Sequence, residues 1–263
     1  IFEVDASGKL LKDRETIEAI DGKDIHTSLD LKAQQVAFKQ LNNRRGAVVA
    51  VDLRSGSIVS YISSPSFSVN DITNGLSQDD FNKLVNDKNK PFFDRAGQGR
   101  YSPASTIKPA IGLFGLEKNL IDWQFTIEDI GFFTLPEDGR IYRGWKKGGH
   151  GKINLQDAII ESSNAFFFSL AYQTEVNELI EHLSNFGFGQ NVCGDCFFPD
   201  KGLLPSPEWK MNTHNFGWFK GDTVNLGVGQ GYLSATPLQL AYYSAFLANQ
   251  GKIDSLSFVT ENK

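Results

Sequence analysis

The sequence predicts a mixed α+β domain, and three observations carry that expectation. β-Branched apolar runs occur in pairs around turn signals, helical periodicity dominates the second half, and no repeat or low-complexity tract interrupts either. Of the 263 residues, 40% are hydrophobic and 12% aromatic, enough for a sizeable core and too much for a disordered chain.

Residues 1–45 read as a lead-in. A polar stretch, Gly8 to Asp24, precedes Asp30, which can cap a helix from Leu31 to about Asn42 that ends at Arg44-Arg45-Gly46. A main domain, 46–263, is expected to open there. Ala47 to Val51 is almost wholly apolar and predicts a strand buried on both faces, paired through Arg54-Ser55-Gly56-Ser57 with a second strand, Ile58 to Ile62. Residues 64–104 read as a long loop with one short helix around Asp79 to Val85, and loops of that length are commonly functional. A helix follows from Ser105 to Glu117, then a hairpin of Phe132–Leu135 and Arg140–Trp145 around Pro136-Glu137-Asp138-Gly139. Helices are expected at 155–160 and 165–173, broken at Ser162-Ser163-Asn164, and again at 175–186. Thr236-Pro237 is an N-cap with proline at N1, opening a helix to Asn249. Phe92-Phe93, Phe132-Phe133 and Phe166-Phe167-Phe168 read as core or groove lining.

Composition excludes several function classes. A net charge of -5 offers no basic stripe for nucleic acid. No apolar run reaches the eighteen or so residues of a membrane helix. The chain starts at Ile1 with no signal-like segment, as expected of a trimmed piece. Cys193-Gly194-Asp195-Cys196 has redox-motif spacing without thioredoxin context; a small local disulfide and two free thiols both fit. There is no G-x-S-x-G elbow, Walker loop, H-E-x-x-H or G-x-G-x-x-G.

Ser105-Thr106-Ile107-Lys108 is an S-x-x-K at a helix start, where i and i+3 side chains are neighbours. A serine hydroxyl needs an adjacent base, and a lysine serves once burial lowers its pKa. The spacing alone is unremarkable in a chain of this composition. Its context is not. Tyr101 to Pro109, Asp94-Arg95-Ala96, Gly148-Gly149-His150-Gly151, Glu161-Ser162-Ser163-Asn164, and the stretch from Gly221-Asp222-Thr223 through Gly227-Val228-Gly229-Gln230-Gly231-Tyr232 to Ala235-Thr236-Pro237-Leu238-Gln239 occur in one order. Together, from about Ile25 to Gly251, they resemble the penicillin-binding proteins, in particular the elongation-type monofunctional class B members.

That resemblance implies the α+β fold shared by penicillin-binding proteins and serine β-lactamases, an antiparallel sheet packed with helices plus a mostly helical subdomain. It implies a D,D-transpeptidase that cross-links peptidoglycan stem peptides through a serine acyl-enzyme and is blocked by β-lactam antibiotics. Ser105 would be acylated and Lys108 its general base. Ser162 would relay a proton to the leaving nitrogen, and Asn164 would bind the substrate amide. Gly229, Gln230 and Gly231 would line the substrate site, and no cofactor is implied. A second S-x-N, Ser68-Val69-Asn70, matches by spacing alone. The family's usual proline and glycine before the nucleophile are here Ser102 and Ala104. The family's third motif, K-[ST]-G, is found nowhere in the 263 residues, which predicts a weak or inactive catalyst.

Some relatives hold zinc beside the S-x-N motif. The matching positions, Asp129, Gly144, His150 and Ser163, keep only Asp129 and His150 as ligand types, so no metal is expected. Residues 1–45 would end a pedestal region with its linker helix. The parent would be a periplasmic domain on an inner-membrane anchor, partnered by a glycosyltransferase of the SEDS type and elongation scaffold proteins. A serine β-lactamase, or a non-catalytic β-lactam sensor or structural module of the same fold, are the alternatives.

Overall fold

The computed structural model describes residues 2–13, 20–197 and 199–260. The part of the polar lead-in at 14–19 lies outside them. Strands β1 (Phe2–Val4) and β2 (Leu10–Asp13) form an antiparallel pair that the sequence did not announce. Helix α1 (Leu31–Leu41) begins as expected, the Asp30 carboxylate accepting the Ala33 N–H at 2.8 Å.

Strands β3 (Gly46–Val51) and β4 (Ile58–Ser64) pair antiparallel, Val48 opposite Ile62 and Val49 opposite Tyr61. Alternation along β4 turns Ile58, Ser60, Ile62 and Ser64 inward. β3 corrects the expectation of burial on both faces: every residue in it is half-buried. The reason is that β4 is its only partner strand among the described residues. The long loop carries two helices instead of one, α2 (Val69–Asn74) and α3 (Gln78–Asn86). Ser68 is the N-cap of α2, accepting the Asp71 N–H, which is why this second S-x-N is capping chemistry.

The helical part follows. Helix α4 (Lys108–Glu117) is preceded by a 3-10 turn, Ala104–Ile107. Strand β5 (Ile127–Asp129) pairs with β8 (Gly151–Ile153), and β6 (Phe132–Thr134) with β7 (Ile141–Arg143), all antiparallel. Then come α5 (Leu155–Ile160), α6 (Asn164–Tyr172), α7 (Val176–Asn185), α8 (Pro207–His214), α9 (Lys220–Leu226) and α10 (Pro237–Ala248). α8 and α9 had no sequence forecast. Among the described residues no helix is long and apolar enough to cross a membrane.

The main core forms around α4 and α6, where Ile111, Phe114, Phe166, Phe167 and Leu170 are essentially fully buried. Gly112 lets α5 and Gly115 lets α6 close on α4: a Cβ would stand 2.9 Å from Leu155 at the first and 2.9 Å from Leu170 at the second. Of the three Phe-rich stretches, 166–168 is core, whereas Phe92 and Phe93 remain 39% exposed. A smaller cluster joins Ile58, Val192, Leu238, Tyr242 and Leu256. Beside it, Cys193 and Cys196 form a disulfide, which resolves the two readings left open.

Candidate active site

Ser105 is exposed on the 3-10 turn, and α4 begins only at Lys108. In a 3-10 turn i and i+3 eclipse, so both side chains keep to one side. The entry is held from across the molecule: the Gly229 carbonyl accepts the Ala104 N–H at 2.9 Å and the Ser102 hydroxyl at 2.6 Å. Ala104 has φ 48°, a left-handed conformation costly for a residue with a Cβ. Alanine holds this conformation at the cost of strain. Ser102 supplies the compensating hydrogen bond.

Lys108 is 2% exposed. Its Nζ donates to the Ser162 carbonyl at 2.7 Å and to Asn164 Oδ1 at 2.7 Å, with Ser162 Oγ at 3.1 Å. The Phe167 ring centroid lies 5.4 Å away. Burial pushes the ammonium down from 10.5 to about 8. As a neutral amine it keeps two N–H bonds for the carbonyl and the amide oxygen, leaving a lone pair for a hydroxyl proton. No hydrogen bond joins Nζ to Ser105 Oγ in this state. The lysine is therefore the hub of the S-x-N turn, one 3-10 turn from the exposed serine.

Local rules shape that turn. Ser162 sits just past α5 with φ 53°. Its N–H reaches the Ile159 carbonyl at 3.2 Å, and the Ser163 N–H reaches Ala158 at 2.9 Å. These two bonds close α5 as a Schellman motif, in which the left-handed position is usually glycine. Serine there gives up some stability and gains a hydroxyl facing Lys108. Ser163 then N-caps α6, and Asn164 is its first residue.

Gly229 is buried with φ 68°, and a Cβ on it would fall 2.2 Å from the Ala104 oxygen, so only glycine fits. Gln230 and Gly231 are exposed beside it. Thus Ser105, Lys108, Ser162, Asn164 and Gly229 are brought together, with Gln230 and Gly231 on the adjoining surface.

The profile of the penicillin binding protein transpeptidase domain matches residues 46–263. The chain belongs to the penicillin-binding protein transpeptidase family. A peptidoglycan D,D-transpeptidase MrdA of Acinetobacter baumannii is 42% identical over 249 residues, 95% of this chain and 37% of the relative. The corresponding protein of Escherichia coli K12 is 37% identical over 95% of this chain and 39% of its own length. PBP2 of Pseudomonas aeruginosa, solved in complex with WCK 5153, superposes with a TM-score of 0.88 at 37% identity, covering 92% of this chain and 55% of that one. PBP2 of Helicobacter pylori, solved in complex with MreC, gives 0.87 at 32% identity over 100% and 48%. The chain thus spans about two fifths of the curated relatives' length. The fold is the family's α+β fold.

Behind the S-x-N turn of this transpeptidase domain, Asp129 Oδ2 accepts the Ser163 hydroxyl at 2.6 Å and the His150 Nδ1–H at 2.6 Å, while Oδ1 accepts the Gly131 N–H at 2.7 Å. Burial alone would raise the Asp129 pKa; the three donors outweigh it and hold the carboxyl below its ordinary value. The glycines around His150 have a plain cause. A Cβ on Gly149 would overlap the Asp129 carbonyl, whose oxygen accepts the His150 N–H at 3.0 Å.

The structural roles of two further groups escaped sequence reasoning. Arg95 is buried and closes the long loop by donating to the carbonyls of Asn89, Lys90 and Phe93. Lys210, also buried, pairs with Asp222 at 2.5 Å and lies 4.6 Å from the Phe219 ring centroid. Asp222 lies in a quoted motif, but its partner on α8 has no local signal.

Proposed function

We propose that the chain is the catalytic part of a peptidoglycan D,D-transpeptidase acting in cell elongation and a target of β-lactams. The observation that carries this is Lys108: a buried amine with pKa about 8, bonded to Ser162 and Asn164 and one 3-10 turn from an exposed serine. Ser105 Oγ attacks the carbonyl of the penultimate D-Ala, and its proton passes to Lys108. The Ser105 N–H, on the 3-10 turn that precedes α4, faces the developing oxyanion. Ser162 protonates the leaving D-Ala nitrogen and is re-protonated from Lys108. Asn164 and the Gly229-Gln230-Gly231 edge orient the peptide. The acceptor amine of a neighbouring stem peptide then attacks the ester and frees Ser105.

Residues 1–45 are proposed as the end of a pedestal with its linker helix, and 46–263 as transpeptidase domain. Relatives solved with MreC and within a peptidoglycan synthase complex support a scaffold protein and a glycosyltransferase as partners. A periplasmic domain on an inner-membrane anchor is part of the same proposal. The test is incubation of the protein carrying this chain with a donor pentapeptide and an amine acceptor. Release of D-Ala with a cross-linked product is expected and must vanish in Ser105→Ala. Steady hydrolysis of a chromogenic cephalosporin without cross-linking would instead mark a β-lactamase.

A further inference from the structure

The three side chains behind the S-x-N turn occupy positions where some relatives hold zinc, and their geometry does not suit one. Two ligand atoms on a tetrahedral zinc, each about 2.0–2.2 Å from the ion, stand roughly 3.3 Å apart. Here Asp129 Oδ2 lies 2.6 Å from both His150 Nδ1 and Ser163 Oγ, hydrogen-bond distances at which one oxygen is already committed twice. The fourth position, Gly144, has no side chain, and its N–H is donated to the Gly131 carbonyl at 2.8 Å. A serine hydroxyl also replaces a thiolate, the softer ligand. His150 Nε2 is buried with no hydrogen-bond partner among the described residues and faces Glu161 Oε2 at 3.9 Å.

We propose that Asp129, His150 and Ser163 form a metal-independent brace whose task is to position Ser162 under Lys108. The claim rests on the reading of Ser162 given above. Ser162 is held at φ 53°, so the turn relaxes toward ordinary backbone unless its neighbours fix it. Ser163 is that neighbour: fully buried, its Oγ accepts the Phe166 N–H at 3.3 Å and donates to Asp129. Asp129 is anchored in turn by β5 and by the His150 side chain, and His150 is wedged by the Trp145 ring at 5.5 Å. Trp145 Nε1 donates to the Glu161 carbonyl at 3.0 Å, so the brace grips both sides of Ser162. A carboxylate that accepts three hydrogen bonds thus holds the turn without an ion. All three are positioning residues, since none faces the exposed Ser105.

The test uses the protein carrying this chain, with Asp129→Asn and Ser163→Ala. Metal analysis should find no stoichiometric zinc, and a chelator should leave thermal stability and acylation unchanged. Amide hydrogen exchange at Phe166, whose N–H Ser163 caps, should accelerate about tenfold in Ser163→Ala, the value of one lost hydrogen bond, and by a smaller factor in Asp129→Asn, where the cap loses its anchor, with exchange in α10 unchanged. The acylation rate should fall with a displaced pH midpoint, because Ser162 moves against Lys108. Stoichiometric zinc, chelator sensitivity, or wild-type exchange in both variants would overturn the brace. Wild-type protein that fails to acylate at Ser105 would refute the catalytic reading alone, leaving the exchange result to decide this one.

Discussion

Replacing Asn164 by Asp hardly changes the volume but sets a carboxylate where Lys108 Nζ now meets a neutral amide oxygen at 2.7 Å. The lysine is buried, and burial alone brings its pKa to about 8, so roughly one-tenth is neutral at pH 7. An anion in direct contact favours the ammonium and raises the midpoint by about 1–3 pH units. The neutral base at pH 7 then falls by about 10- to 1,000-fold, and acylation should fall with it. Pre-steady-state labelling with a fluorescent penicillin between pH 6 and 10 reads this directly. Wild-type rates should rise through a midpoint near 8, and Asn164→Asp rates should rise later. Asn164→Ala removes an acceptor that favours the charged form, so it should lower the plateau without raising the midpoint. An Asn164→Asp profile with the wild-type midpoint would refute the assignment of Lys108 as base.

Further outcomes follow from the packing. Gly229→Ala drives a Cβ against the Ala104 oxygen at φ 68° and should cost roughly 1–3 kcal/mol and at least tenfold in acylation rate, measured by melting and labelling. Phe167→Ala empties a fully buried site between α4 and α6 and should cost about 3–5 kcal/mol in urea unfolding. Reducing Cys193–Cys196 opens a very short loop, worth about 2 kcal/mol in the chain-entropy account. Because Asp195 accepts the Phe258 and Val259 N–H groups at 2.7–3.1 Å, exchange of those two amides should accelerate on reduction.

Much of the fold was legible because its signals are local. Asp30, Asn154 and Thr236 stand where their side chains cap helices, and β-branched runs flank the β3–β4 turn. α8 and α9 were missed because Pro207 to His214 and Lys220 to Leu226 lack an apolar stripe, although Ser206-Pro207 is the same start signal as Thr236-Pro237; the Lys210–Asp222 pair that ties the two helices is tertiary. The disulfide was undecidable from spacing, since pairing depends on a 5.4 Å Cα separation that the loop imposes. At the site, residue types and order pointed to Ser105, Lys108, Ser162 and Asn164. The left-handed Ala104 and the bond from Ser102 to Gly229 lie beyond sequence because they arise from contacts across the chain, whereas the left-handed Ser162 closes α5 locally but carries no glycine to signal it.

The most direct measurement is mass spectrometry of peptides from the protein carrying this chain after brief β-lactam treatment. A single adduct on the peptide containing Ser105, absent in Ser105→Ala and slowed in Lys108→Ala, is the expected result. An adduct on another residue, or labelling of Ser105 that is indifferent to Lys108, would contradict the catalytic assignment.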